Sequence, residues 1–196
     1  MAKLRVDKIA APIIKDEYTG SVYFDGTGDY LTIPTSDDFA FGTGDFTIEL
    51  WTYSSPDGSG NIQDCHLYEG RALNSTQRPL IRISSNSIRY YNDDADRITG
   101  PSLSADRWYH IAVCRNNGVS TLFVDGVSQG TYSDSIDILK PTTSLIIGSD
   151  EIGNNRFIQG CLSNLRVCKG HAVYTGNFTV PTRELEVHTG AKGVVF

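Results

Sequence analysis

Apolar and polar residues alternate along much of the chain with a period of two residues. In residues 46–53, the apolar positions 46, 48 and 50 fall on one side of an extended backbone, and positions 47, 49 and 51 fall on the other. Successive side chains of a β-strand point to opposite faces, so this spacing is typical of a strand. No stretch sustains the 3.6-residue period of an amphipathic helix. The pattern therefore predicts an all-β protein.

Turn-forming residues separate these short strand-like blocks. Residues 121–124 run directly into Asp125-Gly126, a dipeptide that favours a two-residue hairpin turn. The loops 26–29 and 42–45 have the same Gly-Thr-Gly-Asp sequence, and each leads into a predicted strand. Neither loop opens a helix or is followed by lysine, so neither is interpreted as a phosphate-binding loop. Many short strands joined by such turns predict an antiparallel sandwich of two sheets.

The first nineteen residues have a different character. Their apolar residues are interrupted by Ala10-Ala11-Pro12, and the segment is too short to form a core of its own. We therefore predict an N-terminal arm, residues 1–19, followed by a single domain, residues 20–196. The arm needs a surface to lie on, either the sandwich or a neighbouring subunit. Its predicted anchoring residues, each contributing about 1.5–3 kcal/mol when fully buried, are Leu4, Val6, Ile9, Ile13 and Ile14.

Composition narrows the choice of partners. The chain has 196 residues, 39% of them hydrophobic, which is enough for one domain with one core. Its formal net charge is −6, and its basic residues are scattered, so a nucleic-acid partner is disfavoured. The sequence has no apolar run long enough to span a membrane. The N-terminus also lacks the apolar region of a secretory signal.

The four cysteines are predicted to be buried free thiols. No Cys-x-x-Cys pair is present, so a zinc ribbon is disfavoured. Residues seven apart on a straight strand point to opposite faces, which makes Cys161 and Cys168 poor partners for a disulfide. Free thiols fit a protein made in a reducing cytosol.

The sequence carries no recognisable catalytic constellation. Retaining glycoside hydrolases need two carboxylates about 5–5.5 Å apart, yet Glu49 stands alone on its strand. Glu184 and Glu186 lie in a polar segment near the C-terminus. We expect His110 to be a hydrogen-bonded histidine of the core or its rim. Trp51 and Trp108 are expected to fill the core between the two sheets, and we predict that the protein is not an enzyme.

Six sequence blocks together indicate a family. They include Phe-Asp-Gly-x-x-Asp-Tyr-Leu, Phe-Thr-Ile-Glu-x-Trp and Trp-x-His-x-Ala-Val-x-Arg, and they occupy residues 24–31, 46–51, 108–115, 124–126, 160–167 and 174–181. As a set they resemble the laminin-G-like, concanavalin A-like jelly-roll family, in the version found in bacteriophage virion proteins. Residues 4–9 also resemble the start of virion proteins of marine phages.

The resemblance implies an all-β, two-sheet antiparallel jelly-roll sandwich with an extended N-terminal arm. It also implies a non-enzymatic virion structural protein, made in the host cytoplasm and carried in the virion. The most concrete expectation is a capsid decoration or cement protein. It would form a homo-oligomer and bind the major capsid protein or other virion subunits through its arm. The alternative is a tail- or fibre-associated module that binds a glycan or a receptor.

One loop carries chemistry suited to a ligand. Sugar sites pair an aromatic platform with hydrogen-bonding side chains, and residues 90–93 have this composition. The predicted glycan or partner contacts are Tyr90, Tyr91, Asn92 and Asp93. Neighbouring tyrosines on a strand point to opposite faces, so at most one of these two belongs to the core.

The same loop offers oxygen ligands for a metal. Laminin-G-like domains often hold calcium at the rim of the sandwich, so the resemblance suggests a weak calcium site at Asp93, Asp94 and Asp96. Calcium prefers carboxylate and carbonyl oxygens. The alternative interpretation is a solvated acidic loop. No other cofactor is expected.

Overall fold

A computed structural model describes residues 20–70, 78–150, 155–182 and 185, together with the backbone of residues 192–195. The predicted arm, residues 1–19, lies outside the described residues, and so do its five anchoring residues. Within the described part, thirteen strands and one short 3-10 helix, Asp37–Phe39, are present. The strands are β1 Val22–Asp25, β2 Leu31–Ile33, β3 Phe46–Ser54, β4 Cys65–Glu69, β5 Leu80–Ser84, β6 Ser87–Asn92, β7 Ala95–Ser102, β8 Trp108–Asn116, β9 Val119–Val124, β10 Val127–Ser133, β11 Leu145–Ile147, β12 Gln159–Lys169 and β13 Lys192–Val195.

The strands form two antiparallel sheets. One sheet has seven strands, in the order β1-β12-β3-β8-β9-β10, with β13 also pairing with β12. The other has six strands, in the order β2-β11-β4-β5-β6-β7. The predicted all-β sandwich of two antiparallel sheets is confirmed. Among the described residues, no helix has both the length and the apolar character needed to cross a membrane.

Tight two-residue turns join several neighbouring strands. Asp125 and Gly126 have φ angles of 49° and 78° and link β9 to β10, so the predicted hairpin is confirmed. Asp93 and Asp94 have φ angles of 49° and 65° and form the turn between β6 and β7. Aspartate tolerates this left-handed conformation better than most residues. The acidic loop seen in the sequence is therefore first of all a hairpin turn.

The main core fills the space between the two sheets. Phe46, Ile48 and Leu50 of β3 are fully buried there and share one face of the strand, as the alternating pattern predicts. Across from them lie apolar side chains of the six-stranded sheet, such as Ile81 and Ile83. All four cysteines are buried and free, as predicted.

The seven-stranded sheet is also covered on its outer face, by a segment that we call the C-terminal strap, residues 171–182. Tyr174 and Phe178 of the strap pack against Phe123 and neighbouring side chains of β8 and β9. Trp51 and Trp108 cluster on this outer face with Cys161. The prediction that both tryptophans fill the space between the sheets is therefore wrong. Strand β3 is buried on both faces, so alternation alone does not show which face is the inner one.

Several hydrogen bonds attach the strap to the sheet. The backbone N–H of Phe178 donates to the carbonyl oxygen of Gly126 over 2.9 Å. A side chain at Gly126 would place its Cβ 2.1 Å from the carbonyl oxygen of Phe178, so only glycine permits this approach. The hydroxyl of Thr47 donates to the carbonyl of His171 and accepts from the N–H of Val173, over 3.0 and 2.8 Å.

Candidate functional site

The outer face of the six-stranded sheet carries a polar and aromatic surface that we call the Tyr91 face. It consists of Arg82 on β5, Arg89 and Tyr91 on β6, and Asp96 on β7. Cross-strand pairing aligns Arg82 with Arg89 and Tyr91 with Asp96. These residues lie on one face because residues paired across strands point the same way.

Tyr91 is half-buried on this face. Its hydroxyl donates to Oδ1 of Asp94 over 3.0 Å. The guanidinium carbon of Arg82 lies 5.2 Å from the centre of its ring, within the range of a cation–π contact. The hydrogen bond and the guanidinium together hold the ring in one orientation.

Asp96 lies between the two arginines of the face. Nη2 of Arg82 lies 2.9 Å from both of its carboxylate oxygens, and Nη1 of Arg89 lies 2.8 Å from Oδ2. Burial by itself would raise the pKa of Asp96, but the hydrogen bonds from Arg82 and Arg89 hold it below its ordinary value. The side chains of Arg82, Arg89 and Asp96 are 22%, 26% and 18% exposed, so a ligand in solution can reach the network.

Two of the predicted contact residues do not lie on this surface. Tyr90 is fully buried, and its hydroxyl donates to Oδ2 of Asp134 over 3.2 Å. Asn92 is fully buried as well and donates from Nδ2 to the Tyr90 hydroxyl over 3.2 Å. Both side chains point into the sandwich, because they alternate with Tyr91 along β6. The prediction that Tyr90 and Asn92 contact a ligand at the surface is therefore corrected.

The predicted calcium ligands point to different partners. Asp93 pairs with Arg97 over 2.8 Å, Asp94 accepts from Tyr91, and Asp96 pairs with Arg82 and Arg89. In the part of the chain that the structure describes, no three His, Cys, Asp or Glu side chains are grouped so that they could hold a metal ion. The geometry gives no support for calcium here, and the site stays a prediction.

A buried pair, His66 and Glu69, lies at one end of the same sheet face. Nδ1 of His66 lies 2.9 Å from Oε2 of Glu69, and both side chains are almost completely buried. His66 is paired with Arg82 across β4 and β5, so the pair borders the Tyr91 face. Because neither side chain reaches solvent, the pair has the character of a structural contact.

The seven-stranded sheet holds a second polar cluster, centred on Glu49. Nε of Arg166 lies 2.6 Å from Oε1, Nε2 of His110 lies 3.0 Å from Oε2, and the hydroxyl of Tyr174 donates to Oε2 over 2.9 Å. Burial alone would raise the pKa of Glu49, but the contacts with His110 and Arg166 hold it below its ordinary value. The predicted hydrogen-bonded His110 is confirmed.

This Glu49 cluster is sealed from solvent. Glu49 and His110 are fully buried, and the ring of Phe178 in the strap lies 5.7 Å from the ring of His110. A substrate could not reach the carboxylate without displacement of the strap. The cluster joins β3, β8, β12 and the strap, so its role in this geometry is to hold the strap on the sheet.

Residues 25–172 match the sequence profile of the Concanavalin A-like lectin/glucanases superfamily, of laminin G type. The chain belongs to this superfamily. Its two antiparallel sheets and jelly-roll order agree with that membership. No curated protein sequence matches the chain significantly.

Solved structures with the same fold share little sequence with this superfamily member. A Bacteroides ovatus protein with a proposed role in carbohydrate binding is 18% identical, with a TM-score of 0.60, and the alignment covers 78% of this chain and 44% of that protein. Domain 4 of the Geobacillus stearothermophilus arabinanase AbnA, solved with arabinotriose, is 12% identical, with a TM-score of 0.62 and coverages of 88% and 78%. A Trypanosoma rangeli sialidase is 12% identical, with a TM-score of 0.57 and coverages of 81% and 27%. The chain thus spans less than half of the Bacteroides protein and of the sialidase. At these identities the likeness shows the fold alone.

Sequence reasoning missed Arg82 and Arg89, which hold the Tyr91 face of this superfamily member together. A signal was present, because each is a lone arginine inside a short strand rich in apolar residues, Leu80–Ser84 and Ser87–Asn92. A charged residue in such a strand must occupy the outer face or be paired. The pairing with Asp96 depends on strand register, which single-strand patterns do not reveal.

Proposed function

We propose that this chain is a non-catalytic binding module that recognises a glycan through the Tyr91 face. The observation that carries the proposal is the partly exposed network of Tyr91, Arg82, Arg89 and Asp96 on a sheet surface. A sugar ring has an apolar face that packs on an aromatic ring, and a hydroxyl edge that needs donors and acceptors. This network supplies all three kinds of group.

Preorganisation also supports the proposal. Asp96 engages Arg82 through Nε and Nη2 and Arg89 through Nη1. Nε of Arg89 is buried, so the candidate donors to a ligand are Nη1 of Arg82 and Nη2 of Arg89. The side chains are held before binding, so less conformational freedom is lost on binding. The arabinotriose complex of AbnA domain 4, on the same fold, is further support for a saccharide ligand.

A non-catalytic role fits the placement of the carboxylates. Glu49 and Glu69 are fully buried, and Asp96 is neutralised by two arginines. General acid–base chemistry requires a carboxyl group within hydrogen-bond reach of the substrate. Asp93, which is partly exposed, and Asp94, which is exposed, occupy a hairpin turn and are engaged by Arg97 and Tyr91.

A glycan array followed by calorimetry on the best oligosaccharide tests the proposal. Tyr91→Ala should weaken binding at least about tenfold, as loss of a central aromatic contact does at other binding sites. Tyr23→Ala is the matched control, because Tyr23 is also half-buried but lies on the outer face of the seven-stranded sheet. Absence of binding on the array, or equal affinity for both variants, would contradict the proposal.

A second candidate is the virion structural role, with the chain attached to the major capsid protein or another virion subunit through Leu4, Val6, Ile9, Ile13 and Ile14. The sequence blocks resembling phage virion proteins favour it, and so does the apolar arm. Under this candidate the protein is carried in the virion as a homo-oligomer. Deleting residues 1–16 should abolish incorporation into particles, whereas normal decoration by the truncated protein would contradict it. The two candidates are compatible, because a virion-bound module can also bind a glycan.

A further inference from the structure

The two long sides of the sandwich differ. On one side β7 and β10 contact each other, so the sheets close directly. On the other side β1 and β2 diverge and leave a cavity of about 680 Å³ that opens to solvent. Its walls are largely apolar and include Val22, Leu31, Ile33, Ile147, Leu162 and Leu165. We call this cavity the edge groove.

The edge groove is an extension of the main core. Val22, Leu31 and Ile33 are only partly buried, yet they pack directly against the buried core residues. Hydrophobic core therefore reaches the surface at this side. An apolar segment that packs there would remove this exposed apolar surface from water, which is favourable.

The strand pairing of β12 places Gly20, which follows the arm in sequence, at the groove. Strand β1 pairs with residues 159–162 of β12, and β13 pairs with residues 166–169 on the same strand. Between them the hydroxyl of Ser163 donates to the carbonyl oxygen of Gly20 over 2.9 Å. Gly20 is the first described residue and lines the groove. Strand β13 occupies the pairing positions of residues 166–169, so these positions on the edge of β12 are not open to the residues that precede Gly20.

We infer that Ile13 and Ile14, from the arm of the same chain, bind in the edge groove. Ile14 lies six positions before Gly20, and an extended chain of that length spans up to about 20 Å. Ile14 can therefore reach any part of the groove. Residues 15–17, Lys-Asp-Glu, are polar and suit a solvent-exposed turn. The arm is tethered at the groove, so its local concentration there is far higher than that of a partner's segment.

The other segment near this edge is a weaker occupant. Residues 186–191, which precede β13, contain one large apolar residue, Val187. The arm contains five branched aliphatic residues in addition to Met1. The inference gives the two parts of the arm different roles. Ile13 and Ile14 bind in the groove, and Leu4, Val6 and Ile9 remain available for contact with a neighbour. This inference does not depend on the proposed glycan site.

Double substitutions in the 196-residue chain test whether Ile13 and Ile14 bind in the groove. Ile13→Asp with Ile14→Asp should lower Tm by about 5 °C or more and increase binding of a dye that reports exposed apolar surface. Leu4→Asp with Val6→Asp is the matched control and should leave both readings unchanged. Wild-type behaviour of the first variant, or an equal loss in the control, would overturn the inference.

Cysteine pairs identify the chain that supplies the arm. Ile14→Cys combined with Ile33→Cys, or with Leu165→Cys, should form a disulfide within one chain under mild oxidation. The four native cysteines are buried, and the single-cysteine variants control for their reactivity. Disulfide-linked dimers would show that a second copy fills the groove, and failure of both pairs to link would show that the arm lies elsewhere. Either result overturns the inference.

Discussion

The two sheets share one core, but their outer faces differ in what covers them. On the seven-stranded sheet, Glu49, His110 and Arg166 lie beneath the C-terminal strap and are almost completely buried. On the six-stranded sheet, Arg82, Arg89 and Asp96 form a comparable network that remains about one-fifth exposed. Similar residue types therefore occupy two environments, one sealed and one open to ligands.

Burial decides the role of each polar cluster. Removal of one member of a buried ion pair is strongly destabilising, because the charge that remains is unpaired in the interior. A partly exposed ion pair contributes little to the free energy of folding, since water screens it. It can instead offer its groups to a ligand. The Glu49 cluster should thus control stability, and the Tyr91 face should control binding.

The largest expected effect comes from breaking the sealed cluster. Glu49→Ala leaves Arg166 buried without its carboxylate, so we expect a loss of about 3–5 kcal/mol in the free energy of unfolding. Urea denaturation measures this loss. Glycan binding by the folded fraction should be unchanged. A loss below about 1 kcal/mol would contradict the structural role of the cluster.

Detaching the strap from its turn should have the next largest effect. Gly126→Ala forces an alanine into φ 78° and places its Cβ against the carbonyl of Phe178. The left-handed backbone alone costs about 1–2 kcal/mol, and the clash adds to this. Gly170→Ala is a useful control, because Gly170 has φ 82° but nothing lies within 4 Å of the place that a Cβ would take there. The difference between the two variants isolates the contribution of the strap contact, and equal losses would contradict it.

Stability should fall in acid because of Glu49. Its pKa in the folded protein is lower than the ordinary value of 4.5, so the folded state binds fewer protons than the unfolded state in this range. The stabilisation is present above pH 4.5 and is lost as the pH falls through the folded-state pKa. Denaturation of Glu49→Gln at several pH values should show a shallower fall below about pH 4.5. Identical pH profiles for wild type and variant would refute the assignment.

Substitutions on the Tyr91 face are expected to have the smallest effect on stability. Arg82→Ala removes a partly exposed ion pair and should change the free energy of unfolding by about 1 kcal/mol or less. The same variant should weaken glycan binding clearly, because Arg82 fixes both Asp96 and the ring of Tyr91. Thermal denaturation and calorimetry measure the two quantities separately. A large loss of stability would show that this network, like the Glu49 cluster, has a structural role.

The strand pattern predicted much of this fold. Alternation placed Phe46, Ile48 and Leu50 together on one face of β3, and Asp125-Gly126 indicated the β9–β10 turn. Alternation could not place Trp51 and Trp108, because both faces of their strands are buried. The strap that covers this outer face lies more than sixty residues beyond Trp108 in the chain, and no local pattern connects it to these strands.

Long-range pairing also limited what could be predicted about the sites. Glu49 appeared to stand alone, yet Arg166 lies 117 residues away in sequence and forms its ion pair. Tyr91 was predicted from its aromatic and turn context, but Asp96, first considered as a metal ligand, is held by two arginines. Such pairings follow from strand register and sheet order, which depend on the whole fold.

Binding of the best array oligosaccharide to Tyr91→Ala and to Tyr23→Ala, measured side by side by calorimetry, is the decisive experiment for a glycan site on the Tyr91 face. Both variants should remain folded, since each removes a half-buried tyrosine from an outer face. We expect at least about a tenfold loss of affinity for Tyr91→Ala and wild-type affinity for Tyr23→Ala. Wild-type affinity for Tyr91→Ala, or a loss confined to Tyr23→Ala, would show that the ligand does not bind on this face.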